Sequence, residues 1–243
     1  MIGCIIQARM GSSRLPKKSM KKIRNQPILY YVLEQIKKSQ HIDKIVVATT
    51  FKKEDNEIIN FLKKKKIPYF RGKSDDVLDR YYKCAKKYSF SIIVRITADN
   101  PLIDFSIVDR VIQKFLSNEC DIVTNTVPRT FPYGTEVEVF SFNALKQAWH
   151  HATNSTDREH VTAYLYSNSK KFKILSLKNK KNYSKFRYTL DEIQDYDLIK
   201  NIILNIKKRP ILMNDVIDYL RKNPDILELN KNVKHRNLDI DTK

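Results

Sequence analysis

The chain opens on a short apolar run, residues 2–8, that ends in a polar loop. A run of that length bounded by a turn reads as a buried strand. Similar runs lie at residues 44–50, 67–71, 91–97 and 121–125. Between them, residues 27–40, 55–65, 75–88 and 105–116 carry helical patterning, with Pro27 at a first-turn position and Asp75 placed as a cap. Strands alternating with helices of this length predict right-handed crossovers: a Rossmann-like, mostly parallel sheet with helices on both faces. Such sheets bind ligands beyond the carboxyl ends of their strands. The chemistry is therefore expected in the loops after Ala8, Thr50, Arg71, Thr97 and Asn125.

The rhythm changes after Asn125. A loop, TVPRTFPYGT, leads into an alternating strand at 136–141, helices at 142–151 and 157–167, strands at 172–177 and 186–190, and a helix at 193–207. This predicts a single domain over residues 1–230, with a subregion at about 126–180 inserted over one end of the sheet. Residues 231–243 read as a polar tail that frays or packs loosely.

Composition narrows the classes. The 243 residues suit one α/β domain, and 42% hydrophobic residues are enough for its core. The net charge of +19 draws anions, and nucleic acid, anionic membrane and phosphorylated small molecules all qualify. The lysines are dispersed as solvated helix faces, whereas a nucleic-acid footprint is clustered, so no nucleic-acid partner is expected. Cys4, Cys84 and Cys120 show neither a CxxC pair nor zinc spacing; they read as thiols of a reducing, cytoplasmic compartment. The opening run is too short for a signal peptide and no apolar stretch reaches membrane-spanning length, so no membrane insertion is expected.

The loop after the first strand reads Gln7-Ala8-Arg9-Met10-Gly11-Ser12-Ser13-Arg14-Leu15-Pro16-Lys17-Lys18. Gly11, Ser12 and Ser13 can turn backbone N–H groups inward, and Arg9, Arg14, Lys17 and Lys18 supply cations. A triphosphate needs that combination. The loop lacks the second glycine of a Walker A motif and is not a dinucleotide GxGxxG. Charge alone would also fit a basic surface loop; the strand-end position favours phosphate.

IIQARMGSSRLPKK resembles the opening of the CMP-sugar-acid cytidylyltransferases, particularly the spore coat polysaccharide biosynthesis branch, and is similar to CMP-Kdo synthetases. RGKSDDVLDRYYKCA, RITADNPLID, YGTEVEVFS, DREHVTAYL and YTLDEIQDYDLI extend the resemblance over nearly the whole chain. It implies a nucleotide-diphospho-sugar transferase fold and transfer of CMP from CTP to the hydroxyl of an anionic, sugar-acid-like acceptor, with release of pyrophosphate. It further implies that Arg9, Arg14 and Lys18 hold the triphosphate, with Ala8, Gly11, Ser12 and Ser13 alongside. The family usually reads R-L-P-G-K, so Lys17 stands where Gly is common and can share the role of Lys18.

Asp99 alone reads equally as a turn residue before Asn-Pro or as a cation ligand, and Asp191 as a helix N-cap. The resemblance makes both Mg²⁺ ligands. It also brings Gly72, Asp76 and Arg80 towards the base and ribose, although Arg80 can be a surface ion pair. Tyr133, Gly134, Glu136 and Glu138 cluster in the inserted region. Glu136 and Glu138, two apart on a strand, share a face that meets either sugar hydroxyls or water. Arg158 can pair with an acceptor carboxylate or phosphate, and His160 can act as donor or base. His41, His150, His151 and His235 read as exposed. A homodimer is expected. The competing classes are a glycosyltransferase of the related fold, disfavoured because Ala98-Asp99-Asn100 lacks Asp-x-Asp, and a nucleic-acid-binding protein.

Overall fold

A computed structural model describes residues 1–233. Most of the expected tail, and His235 with it, lies outside the described residues.

In chain order the elements are β1 (Ile2–Gln7), the short hairpin β2 (Lys22–Ile23) and β3 (Gln26–Pro27), α1 (Ile28–Ile36), β4 (Lys44–Thr50), α2 (Asn56–Lys64) and β5 (Tyr69–Gly72). There follow α3 (Val77–Lys87), β6 (Ile92–Thr97), α4 (Phe105–Leu116), β7 (Ile122–Thr124) and β8 (Glu138–Ser141). The chain continues through α5 (Phe142–His151), α6 (Ser155–His160), α7 (Ala163–Ser167), β9 (Ile174–Ser176), α8 (Ile193–Asn205) and α9 (Met213–Lys222). Seven strands form one sheet in the order β5-β4-β1-β6-β8-β7-β9, in which only β8 runs antiparallel to its neighbours. The mostly parallel, mixed sheet is the expected fold class.

Successive residues of a strand face opposite sides, and the core divides accordingly. Cys4, Ile6, Val47, Val94 and Ile96 pack with α1, α4, α8 and α9, whereas Ile5, Val46, Ala48 and Ile93 pack with α3 and α5. Cys4 and Cys84 are fully buried small core residues, and burial pushes the Cys84 thiol up to about 12.

Three local expectations change, and one hairpin appears that no pattern announced. The helix expected over 157–167 breaks at Val161, whose φ is +57°, into α6 and α7; Asn154 caps α6, accepting from the Asp157 N–H at 2.8 Å. The break lets the Thr162 hydroxyl reach the Glu138 carboxylate at 3.0 Å. Residues 186–190 form no strand of the sheet; they run beside the loop that precedes β8, with a single bridge between Tyr133 and Arg187. The β2–β3 hairpin turns on Arg24 and Asn25, both at positive φ, without the Asn-Gly signal that marks such turns. Asp76, not Asp75, caps α3, accepting from the Asp79 N–H at 2.9 Å.

The bridge explains Gly134. Its φ is +109°, and a Cβ there would lie 2.8 Å from the Tyr188 carbonyl carbon. Gly134→Ala is expected to cost about 2 kcal/mol through strain and separation of the two segments, measured by urea unfolding.

Candidate active site

The first loop is rooted before it reaches any ligand. Asp55 is fully buried and accepts from the backbone N–H of Met10 at 2.7 Å and of Thr50 at 3.1 Å, and from the Thr50 hydroxyl. One carboxylate thus ties the loop after β1 to the end of β4. Within the loop, Ser12 and Lys17 both donate backbone N–H groups to the Met10 carbonyl, at 3.0 and 2.9 Å. Lys17 closes this turn with φ 59° and ψ 20°, the left-handed region. The turn needs positive φ, the conformation that Gly adopts at least cost, which suits the Gly that the resembled family pattern R-L-P-G-K carries at this place. Lys17→Gly is expected to raise stability by up to about 1 kcal/mol, the relieved strain being partly offset by the freer unfolded chain. Thermal unfolding of the two proteins checks it.

Beyond the turn, the Lys18 ammonium lies between two acids. Its Nζ donates to Asp99 Oδ2 at 2.6 Å, to Asp191 Oδ1 at 3.0 Å and to the Leu190 carbonyl at 2.9 Å. Asp99 follows β6 and Asp191 lies 92 residues later; a backbone bond from the Leu190 N–H to the Asp99 carbonyl, 2.8 Å long, brings them together. Arg14 reaches Asp191 Oδ1 at 3.0 Å and Arg187 reaches its Oδ2 at 3.1 Å. Burial opposes ionisation of Asp191, but Lys18, Arg14 and Arg187 outweigh it and hold the carboxyl below its usual range. Burial likewise opposes the Lys18 charge, and Asp99 and Asp191 overcome it and hold the ammonium above its ordinary value. Beneath them, fully buried Asp195 pairs with Arg187 at 2.8 Å and accepts the backbone N–H groups of Asp191 and Glu192 at 3.0 Å each. Asp191 is therefore held from its side chain and its backbone.

Two adjoining cavities open here. One, of about 200 Å³, is lined by Gln7, Ala8, Arg9, Ser12, Ser13, Arg14, Lys18, Ser19, Thr97, Ala98, Asp99 and Asp191. The other, of about 280 Å³, shares the Gln7–Arg9 edge, Arg14, Asp99 and Asp191, and adds Val77, Arg80, Glu159 and His160. The structure thus gathers Ala8, Arg9, Ser12, Ser13, Arg14, Lys18, Arg80, Asp99, His160 and Asp191 around one cleft. Arg80 is not the surface residue of an ion pair. It is 1% exposed, donates to the Lys73 carbonyl at 2.7 Å, and burial lowers its pKa. Burial also holds His160 below the ordinary histidine value, leaving it neutral at neutral pH.

Other predicted site residues do not line these cavities. Gly72 lies against Arg80, where a Cβ would meet the Arg80 side chain at 3.0 Å. Gly11 faces Glu54. Asp76 and Arg158 pair with each other, and Arg158 also donates to the Trp149 carbonyl at 2.9 Å, fastening α6 to α3. Glu136 and Glu138 do not present a common carboxylate face. Glu136 accepts from Arg129 at 2.8 Å, from Asn100 at 3.0 Å and from the Gly134 N–H at 2.9 Å. Glu138 is buried against Arg95, Thr162 and Tyr166. The expected strand begins two residues late, at Glu138, and Glu136 lies before it, outside the sheet ladder. Tyr133 stacks under the Arg129 guanidinium, 3.8 Å from the ring centre.

Sequence reading passed over Gln7, Thr97 and Glu159, which line the cleft. Gln7 did carry a signal: it is a polar residue closing an apolar strand, and its Oε1 is buried without a hydrogen-bond partner. Asp55, Arg187 and Asp195 act from beneath, and nothing local in the sequence marks them.

The two carboxylates suit a hard cation. Mg²⁺ takes one or two carboxylate oxygens and completes its shell with phosphate and water. Among the described residues no cluster of three or more His, Cys, Asp or Glu could cage an ion by itself. Asp99 and Asp191 share one ammonium between them, beside a loop of cations and backbone donors, so the donor set fits Mg²⁺ carried with a polyphosphate.

Residues 3–235 match the family model described as cytidylyltransferase. The chain is 40% identical over 234 residues to an uncharacterized protein of Methanocaldococcus jannaschii, covering 96% of this chain and 95% of that one. It is 30% identical over 229 residues to the spore coat polysaccharide biosynthesis protein SpsF of Bacillus subtilis, covering 91% and 94%. The solved structure of a cytidylyltransferase from Leptospira borgpetersenii superposes with a TM-score of 0.91 at 36% identity, covering 96% of this chain and 99% of that one. A family match over nearly the whole chain, with relatives and a solved structure alike over nine-tenths of its length, shows that the chain belongs to the cytidylyltransferase family and is a nucleotidyltransferase.

Proposed function

We propose that this enzyme uses Mg²⁺ and CTP to transfer CMP to the hydroxyl of a sugar acid or related anionic acceptor, releasing pyrophosphate. Its setting is the biosynthesis of a surface polysaccharide or glycoconjugate, in the cytoplasm, as a homodimer whose contacts involve the subregion at about 126–180. No helix among the described residues is long and apolar enough to cross a membrane. The observation that carries the reading is the convergence of Lys18, Arg14, Asp99 and Asp191 at the mouth of the loop after β1.

In this reading Ser12 and Ser13 cradle phosphate oxygens, and Arg14 and Lys18 offset their charge. Arg9, which lines both cavities, joins them on the triphosphate, and Arg80, on the second cavity's wall, takes the nucleoside end. Asp99 and Asp191 are the residues that would hold Mg²⁺, which when bound neutralises phosphate charge and acidifies the attacking hydroxyl. His160, neutral in the fold, accepts the hydroxyl proton. Phosphoryl transfer depends mostly on positioning and charge, and both are provided by the rigid mounting of the loop and of Asp191.

The test is pyrophosphate release on incubation with CTP, Mg²⁺ and a panel of sugar acids, against ATP, GTP and UTP. Release with CTP and one acceptor class supports the reading. Consumption of a nucleotide-sugar without pyrophosphate would install the glycosyltransferase alternative instead.

A further inference from the structure

The Lys18 ammonium has three protons to donate, and all three are used: one to each acid and one to the Leu190 carbonyl. Its side chain is only 15% exposed, and the two acids are 24% and 21% exposed. The positive charge therefore occupies the gap between the two carboxylates rather than pointing at the phosphate loop. Arg14 and Arg187 add positive charge at Asp191.

From this arrangement we infer that Lys18 closes the Asp99–Asp191 pair to a free divalent cation, so that the cation enters only with the nucleotide. This rests on reading that pair as the cation-holding acids. A dication placed between the acids would meet a charge of the same sign at contact distance and would displace a fully bonded ammonium. A polyphosphate on the Ser12–Ser13 side of the cleft changes the balance. It offers Lys18 equivalent oxygens, and the lysine stem is long and flexible enough to swing to them. The acids then lose their counter-charge at the moment a cation arrives with the phosphates. Binding of the two ligands is thereby coupled, and by linkage the coupling is reciprocal. The same lysine serves as the acids' counter-ion in the empty enzyme and as a phosphate ligand in the loaded one.

The test needs no turnover. Mn²⁺, followed by its electron paramagnetic resonance signal, is titrated into the wild-type protein, Lys18→Met, Lys18→Gln, Asp99→Asn and Lys18→Met/Asp99→Asn, all without nucleotide. Circular dichroism confirms that each is folded, and Lys18→Gln retains hydrogen bonding if Lys18→Met proves unstable. With the ammonium gone, Mn²⁺ affinity is expected to rise by at least about tenfold over wild type, because removing a like charge at contact distance relieves a strong repulsion. The double variant is expected to lose that gain.

Equal Mn²⁺ affinity in wild type and both lysine variants overturns the inference. If that binding also disappears in Asp99→Asn alone, the acids still hold the cation and only the closure by Lys18 is refuted. If none of the proteins binds Mn²⁺, or the double variant retains the full gain, the acid pair is not the cation site and both readings fall.

Discussion

Asp99→Asn is expected to abolish nucleotidyl transfer in a protein that folds as the wild type does. The cut in kcat should be about a thousandfold or more, the scale of removing one preorganised electrostatic group at a reacting phosphate. Asparagine keeps the shape and leaves one oxygen to accept from Lys18, so the mouth of the cleft keeps its form. What it removes is one of two charges that can face a cation, and there is no third acid nearby among the described residues to replace it. Asp99 is 24% exposed and ends a strand rather than supporting the core, so the melting temperature should move by no more than a few degrees. Steady-state pyrophosphate release and a thermal melt, run side by side, decide the matter. A folded variant with more than a tenth of wild-type kcat would remove Asp99 from the reaction.

The second large effect is on stability. Asp195→Ala is expected to cost about 3–5 kcal/mol, the range for breaking a buried ion pair from one side. The carboxylate is fully buried and meets Arg187 through both oxygens, at 3.0 and 2.8 Å. It also accepts the N–H groups that begin the turn into α8, and the Asn230 side chain at 2.8 Å. Its loss leaves a buried guanidinium short of a carboxylate and several donors short of an acceptor. A melting temperature lower by roughly 10 °C follows for a chain of this size. Asp195→Asn should recover part of the loss, because it restores an acceptor without the charge. A drop below about 1 kcal/mol for the alanine variant would show that the platform under Asp191 is held by other contacts.

These two residues separate what sequence can and cannot disclose. The place of Asp99 at a ligand-binding edge was legible because it ends a strand whose apolar run is unmistakable, and parallel sheets place ligands at strand ends; its reading as a cation ligand came from the family resemblance. Arg9, Arg14 and Lys18 were legible for the same reason. Asp195 was not legible: an acid in the first turn of a helix is ordinary, and its task depends on Arg187, a residue that sequence reading had placed in a strand. Asp76 and Arg158 show the opposite case. Each looked available for a ligand, yet they satisfy each other across 82 residues, and no local pattern encodes such a pairing. Glu136 and Glu138 looked like one face of one strand; Glu136 lies before the strand begins, and its side chain is taken by Arg129, Asn100 and the Gly134 N–H while Glu138 is buried against Arg95, Thr162 and Tyr166.

The sequence by itself determined the alternation of buried strands and amphipathic helices, and hence the layered, mostly parallel sheet. It also determined the cationic loop at the end of β1. These follow from periodicities of two and 3.6 residues and from charge, which neighbouring residues alone set. Tertiary structure decided the reversed direction of β8, the break at Val161, and the identity of the residues that meet in the cleft. Those outcomes depend on contacts between segments tens to nearly two hundred residues apart. There, one backbone bond from Leu190 to Asp99 fixes which two acids share the ammonium of Lys18.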